Sequence, residues 1–252
     1  MRQGWPGLSR PSIFTLLSVH NSSVNHAAPA AALTLPTPPA HAGWFAVDTH
    51  AVCVGSGPRA FAAAAASLAA WGHANALPWV VAASSSSPPS HRRPAPGDPV
   101  CIAARATGPL NLGPLSPWLA NPLVVVGVRE GKGRRWRTRG GPAEGGPAPA
   151  TRPSQDAEET LSRYEVALAT TASHVLAGGE RFSITHRASD GSVWFEAAAF
   201  ARPASVAAAV GWPVVRALQA AFRRGAGEAV AAAVRMDGQG KGKATQRERG
   251  LW

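Results

Sequence analysis

The stretch RFSITHRASDGSVWFEAAAF (Arg181–Phe200), followed by ARPASVAAAVGWPVVRALQAAF (Ala201–Phe222), decides the fold. Phe182 and Ile184 alternate with Arg181, Ser183 and Thr185, the period of a strand with one face toward a core and the other toward solvent. Asp190-Gly191 is a turn pair, because glycine takes positive φ without steric cost, and Ser192–Phe200 is then the returning strand. After Arg202-Pro203 the period changes. Val206, Val210, Val214, Leu218 and Phe222 stand four apart, which predicts an amphipathic helix packed on the sheet. Pro213 restarts that helix in its first turn, where a missing N–H forfeits no bond. Gly225 and Gly227 are expected to loosen its end, and everything after Arg235 reads as tail.

Upstream, the segment from Trp44 to Val54 reads as a strand whose apolar phase switches, which places a bulge near Thr49. Gly55-Ser56-Gly57-Pro58 turns the chain into a helix from Arg59 to about Trp71, with Phe61, Ala65, Leu68 and Trp71 at helical spacing. Short strands follow at Trp79–Ala83 and from Gly97-Asp98-Pro99 through Ala104. Pro109–Pro122, which carries Trp118, is expected to be irregular, and Leu123–Val128 to be a buried strand on its β-branched content. Gly178 and Gly179 are read as a tight turn before the strand of Arg181. The whole is α+β, a curved antiparallel sheet packed on a C-terminal helix. By analogy it is similar to the START or Bet v 1-like helix-grip architecture.

The chain has 252 residues, of which 26 are glycine and 23 proline, so a large share of it resists regular structure. These residues are concentrated. Positions 1–43 hold Arg2 and Arg10 and no acid, the balance of an organelle transit peptide or a disordered leader. Positions 131–160 form a low-complexity insertion with Lys132, Arg134, Arg135, Arg137, Arg139 and Arg152 against few acids. Positions 235–252 form a basic tail. What remains, 44–234, is expected to be a single domain interrupted by the insertion. The net charge of +11 therefore lies largely in appended pieces, and with Trp136 the single aromatic interleaved there, nucleic acid is not expected as a partner. No apolar run approaches the ~18 residues of a membrane-spanning helix. Cys53 and Cys101 are too few for a disulfide framework and fit a reducing compartment.

Gly55-Ser56-Gly57-Pro58-Arg59-Ala60 matches the dinucleotide fingerprint in letters but not in chemistry. Pro58 removes an N–H that a phosphate would need, and no acidic residue ends a second strand about 20 positions on. The turn is expected to be structural, and no cofactor is expected. The eight histidines show no metal-ligand spacing, and no metal is expected either. The dense polar cluster is His174-Val-Leu-Ala-Gly-Gly-Glu180-Arg181, to which Arg202 can be added. There Arg181 could bind an anion while His174 or Glu180 handles a proton. Against this, neighbouring strand residues point to opposite faces, so Glu180 and Arg181 converge only if the turn rotates one of them. Trp194, Phe195, Phe200, Trp212 and Phe222 are candidate lining of an apolar pocket, or core.

His174 to Ile184, Val193-Trp194-Phe195-Glu196, Ala199 to Ala204 and Gly211-Trp212-Pro213-Val214-Val215-Arg216 with Gln219 and Phe222 closely resemble the C-terminal half of uncharacterised protein family 0548, which is defined by the DUF1990 domain. Val54-Gly55-Ser56-Gly57, Gly97-Asp98-Pro99-Val100 and Trp118 through Val126 resemble the same family in the same order. The chain departs from it in lacking an N-terminal Gly-Ala-Thr-Arg segment. It also has Ala169–Ser173 where a Tyr-Gly-Thr-Leu strand is usual, and Gly179 where an acid is common. The resemblance implies no reaction and no catalytic residues. Its plant members imply a chloroplast location, with an ion-conducting role at the outer envelope as one implied function. The fold itself suggests a non-enzymatic module for a small hydrophobic or amphipathic molecule, with peripheral membrane association compatible and a cytoplasmic location the alternative. An enzyme using His174, Glu180 and Arg181 is the third reading.

Overall fold

A computed structural model describes residues 46–84, 92–110, 116–134 and 160–249. The expected leader, most of the insertion and the last residues of the tail lie outside them. In chain order the elements are β1 (Ala46–Ser56), α1 (Gly57–Ala69), α2 (Gly72–Asn75), β2 (Val80–Ser84), β3 (Pro99–Arg105) and β4 (Trp118–Arg134). They continue with β5 (Thr160–Thr170), β6 (Leu176–Arg187), β7 (Ser192–Pro203), α3 (Val206–Val210) and α4 (Trp212–Arg249). The seven strands form one antiparallel sheet in the order β1-β7-β6-β5-β4-β3-β2. Strands β2 to β7 are a meander of neighbours; β1 lies beside β7 at the far edge, and α1 and α2, which follow it in the chain, lead across the concave face to β2 at the opposite edge. The expected α+β class, a curved open sheet on a C-terminal helix, is what the chain adopts.

The core lies between the concave face and the helices. Phe182, Ile184, Val193, Phe195, Val166 and Leu168 from the sheet meet Leu68 and Trp71 below, and Phe222, Ala226 and Val230 of α4 above. Phe182 stacks near Phe195 at 6.4 Å and meets Phe222 edge-on at 6.1 Å. Truncating one such ring costs about 3–5 kcal/mol.

Several local expectations are corrected. The β1 bulge falls between Cys53 and Gly55 rather than near Thr49; Val47 stays on the outer face, 47% exposed, so no phase switch is needed there. Strand β4 begins at Trp118, not after Pro122. The Pro122 carbonyl accepts from both the N–H and the hydroxyl of Thr171, so the missing N–H points past the end of β5, where there is no ladder left to break. At its other end β4 runs to Arg134, opposite Thr160, so residues 131–134 are strand and the insertion is a hairpin connection. Gly178 and Gly179 are not a turn but lie in β6 opposite Ala201 and Phe200. Gly178 has φ +154, and a Cβ on it would sit 2.0 Å from the Phe200 oxygen.

The outer face of β6 is also not simply solvated. Ser183 is buried, and Arg163 and Arg181 lie across that face toward Glu165, their stems covering the strand. The four-apart valine stripe does not make the buried helix face: the chain breaks at Gly211, and Val206, Val210 and Val214 are all exposed. Finally, the glycines do not end α4, which continues to Arg249. A Cβ on Gly225 would lie 2.8 Å from Leu77, and one on Gly227 2.7 Å from Val52, so these positions bring the helix close to its neighbours.

Candidate functional site

Alternation along β6 and β7 distributes the candidate residues. Glu180 faces the concave side, opposite Leu168 and Ala199, whereas Arg181 faces the outer side, where its Nε lies 3.9 Å from Glu165. Burial lowers the Arg181 pKa, an effect opposed by the charge of Glu165. Glu180 and Arg181 therefore do not share a ligand. His174 sits in the β5–β6 connection, held by a hydrogen bond from its own N–H to the Thr171 carbonyl. Its Nδ1 accepts the Leu176 N–H at 2.9 Å, which leaves the proton of the neutral ring on Nε2. Burial lowers its pKa to about 4, so the ring is neutral at physiological pH.

His174 and Glu180 both line a partly open cavity of about 140 Å³ between the sheet and α4. Its walls are mainly apolar: Trp79, Ile102 and Leu123 from the sheet side, Val215, Leu218 and Phe222 from the helix. Most polar side chains at its edge are committed. Thr170 Oγ1 bonds both N–H and C=O of Gly178, Asn121 Nδ2 donates to the Ile102 carbonyl, and Arg105 donates to the Ser116 carbonyl while stacking on Trp118. Gln219 differs. Its Oε1 is buried with no hydrogen-bond partner among the described residues. No hydrogen bond or ion pair among those residues reaches the Glu180 carboxyl. Burial raises its pKa, and the charge of Arg223 opposes that shift. Arg223 in turn lies 3.1 Å from Asp48 of β1, which also takes a two-pronged contact from Arg216.

Arg202 is exposed and lines a second pocket, about 270 Å³, with Ser173, Ser205 and the shared His174. The aromatic candidates divide as well. Phe195 and Phe222 belong to the main core. Phe200 packs with Val124, Ala167 and Ala169 in a separate cluster and also borders the cavity. Trp212 packs beside Leu176, Ala201 and Ala208. Trp194 lies on the outer face under the Arg187 guanidinium, its indole N–H donating to Ser192 Oγ.

Sequence reasoning missed Gln219 as a site residue, and with it Asp48, Arg223 and Trp79. For Gln219 a signal existed: it is a polar residue three before Phe222 and four after Val215, on the helical face that also carries Arg216 and Arg223. In the Gly55–Ala60 segment the Gly57 N–H donates to the Gly191 carbonyl at 2.7 Å and ties α1 to the β6–β7 turn. Among the described residues no group of three His, Cys, Asp or Glu side chains could hold a metal. No described helix is long and apolar enough to cross a membrane.

The family described as "Domain of unknown function (DUF1990)" matches residues 28–229. A UPF0548 protein of Arabidopsis thaliana is 27% identical over 186 residues, covering 74% of this chain and 72% of that protein.

Proposed function

The chain belongs to the DUF1990 family, and from that premise we propose that it is a non-enzymatic binding module for a small hydrophobic or amphipathic molecule. The observation that carries the reading is the 140 Å³ cavity between the sheet and α4, lined mainly by apolar residues with a few polar ones among them. That is the usual make-up of a ligand site, where apolar surface supplies affinity and a few polar atoms fix orientation. The split between Glu180 and Arg181 weakens the enzymatic reading, because the anion-binding and proton-handling groups face opposite sides of the sheet. Conduction draws no support from the sheet, which among the described residues is open between β1 and β2.

Native mass spectrometry of the purified full chain tests the proposal. The expected result is a copurified small molecule, lost on denaturation, and displacement of a polarity-sensitive dye by it. Ala199→Leu, which fills the cavity from β7, should abolish both. If the protein carries nothing and the dye responds identically in wild type and Ala199→Leu, the binding reading fails. For its location we propose the chloroplast, with the cytoplasm as the alternative; the basic, acid-free composition of residues 1–43 supports the former. A fluorescent protein fused behind residues 1–43 would show plastid import, and cytoplasmic fluorescence would refute it.

A further inference from the structure

Helix α3 rests on the sheet through Ala208, which packs with Leu176 and Ala201, with Val175, Trp212 and Val215 beside them. Leu176, Ala201, Val175 and Val215 also line the cavity, so α3 stands at its margin. The opposite side of α3 faces outward. Val206, Val210 and Val214 are 82%, 80% and 59% exposed, and Ala207, Ala209, Pro213 and Ala217 around them are exposed too. Side chains this exposed project from the surface, and a run of apolar ones without an interposed charge marks a surface made for contact.

Charge and residue type identify what covers it. Between Glu196 and Glu228 the chain has no acidic residue and four arginines. Arg216 and Arg223 are turned to Asp48. Arg202 and Arg224 are exposed: the first shares a pocket with Ser205, the N-cap of α3, and the second stands two turns after Ala217 on the outward side of α4. A second copy of the same face would set arginine against arginine. A specific protein partner is usually held by buried aromatic anchors, among which valine is under-represented. The aromatic residue here, Trp212, is half-buried with the Arg216 guanidinium 5.7 Å from its ring. A lipid surface needs no such anchor, since each apolar side chain that enters it adds its own transfer free energy while anionic headgroups attract the arginines.

We propose that the outward side of α3 and of the first turns of α4 docks on an anionic lipid surface, with Val206, Val210 and Val214 entering it and Arg202 and Arg224 meeting its phosphates. Docked in this way, the lipid adjoins a partly open cavity whose lining reaches solvent at Val215 and Leu218 of the same helix. An apolar ligand then has a short path between the two. That path rests on the binding reading above; the docking does not.

Flotation of the full chain with vesicles of phosphatidylcholine, with and without phosphatidylglycerol, tests the proposal. The chain should bind the anionic vesicles, and Val206→Ser/Val210→Ser/Val214→Ser should weaken that binding at least about tenfold. Arg202→Gln/Arg224→Gln should weaken it roughly tenfold on anionic vesicles and leave binding to pure phosphatidylcholine unchanged. The basic residues of 131–160 and 235–252 are the same in every variant, so they cancel in each comparison. All five substituted side chains are exposed, and an unchanged denaturant midpoint reports that each variant is folded. Absence of binding, or binding that the valine variant retains in full, would overturn the proposal. So would a wild-type dimer in light scattering that ignores vesicles and dissociates on the serine substitutions, which would assign the face to a second copy. Ala199→Leu should dock like the wild type. Valine-dependent docking by a chain that takes up no ligand or dye leaves the surface standing while the binding reading fails, and ligand binding without docking does the reverse.

Discussion

At the scale of single residues, His73 is a buried titratable group held without a polar partner among the described residues. It is fully buried among Trp71, Phe182, Phe195 and Phe222, the Phe182 ring centroid only 4.7 Å away, and neither ring nitrogen has a hydrogen-bond partner among the described residues. Burial lowers its pKa to about 3. In the unfolded chain the imidazole titrates near 6.5, so between these values the unfolded state takes up a proton that the folded state refuses. Stability is therefore unaffected by this group above about pH 6.5 and falls as the pH drops toward 3, by at most ~1.4 kcal/mol per unit. Chemical denaturation of His73→Leu and wild type at pH 7.5 and pH 5 should show a smaller loss in the variant. Equal losses would mean that the site hydrates or opens before it ionises. Gly178 is the opposite case, a residue chosen for what it lacks. Gly178→Ala drives a methyl into the Phe200 carbonyl and the Ala201 backbone, neither of which can rotate away. We expect a loss of at least about 2 kcal/mol, seen as a lowered midpoint in denaturant; an unchanged midpoint would show that β6 slides freely on β7.

At the scale of elements, the helix α4 shows what a single sequence conveys and what it conceals. The start of a helical region was legible, because the four-residue period from Val206 to Phe222 is local. Its end was not, because Gly225 and Gly227 have the same local cost in a solvent-exposed helix and in one pressed against a neighbour. The neighbours decide, and they differ. A Cβ on Gly225 meets the end of the flexible Leu77 side chain, whereas one on Gly227 meets Val52, a β-branched residue fixed in β1, with Phe195 behind it. Gly225→Ala should thus gain up to about 1 kcal/mol of helix propensity. Gly227→Ala should lose stability, overpacking at about 1–3 kcal/mol outweighing the same gain. Thermal unfolding of the two variants should move in opposite directions, and the reverse order would show that β1 yields more readily than α2's connection to β2. The same limit explains the candidate site. That Glu180 and Arg181 face opposite ways is written in strand alternation, and that His174 lies near Glu180 follows from a short connection. Gln219 and Phe222 reach that place only through the packing of α4, which no local pattern encodes.

At the scale of the whole molecule, the fold depends on pairings whose ends are fixed independently of the sequence between them. The insertion that made the chain look barely foldable begins and ends inside one hairpin: Gly131 to Arg134 pair with Arg163 to Thr160, and the ladder continues without a shift back to Gly127 and Ala167. Beyond that point a register shift spans Val125 to Gly127, and the pairing resumes down to Leu123 and Thr170 at the edge of the cavity. The strand register at the candidate site is set by this bulge and by the apolar side chains around it, not by the length of the connection. Loop closure costs only about 0.6 kcal/mol for each doubling of length. Replacing residues 135–159 by a short Asn-Gly-containing turn should therefore leave the fold intact and raise stability modestly, by about 1 kcal/mol. Denaturant unfolding of the shortened chain checks this, with ligand or dye binding at the cavity expected unchanged. A shortened chain that unfolds more easily, or that loses binding while keeping its secondary structure, would show that the segment contributes contacts to the sheet beyond joining its strands.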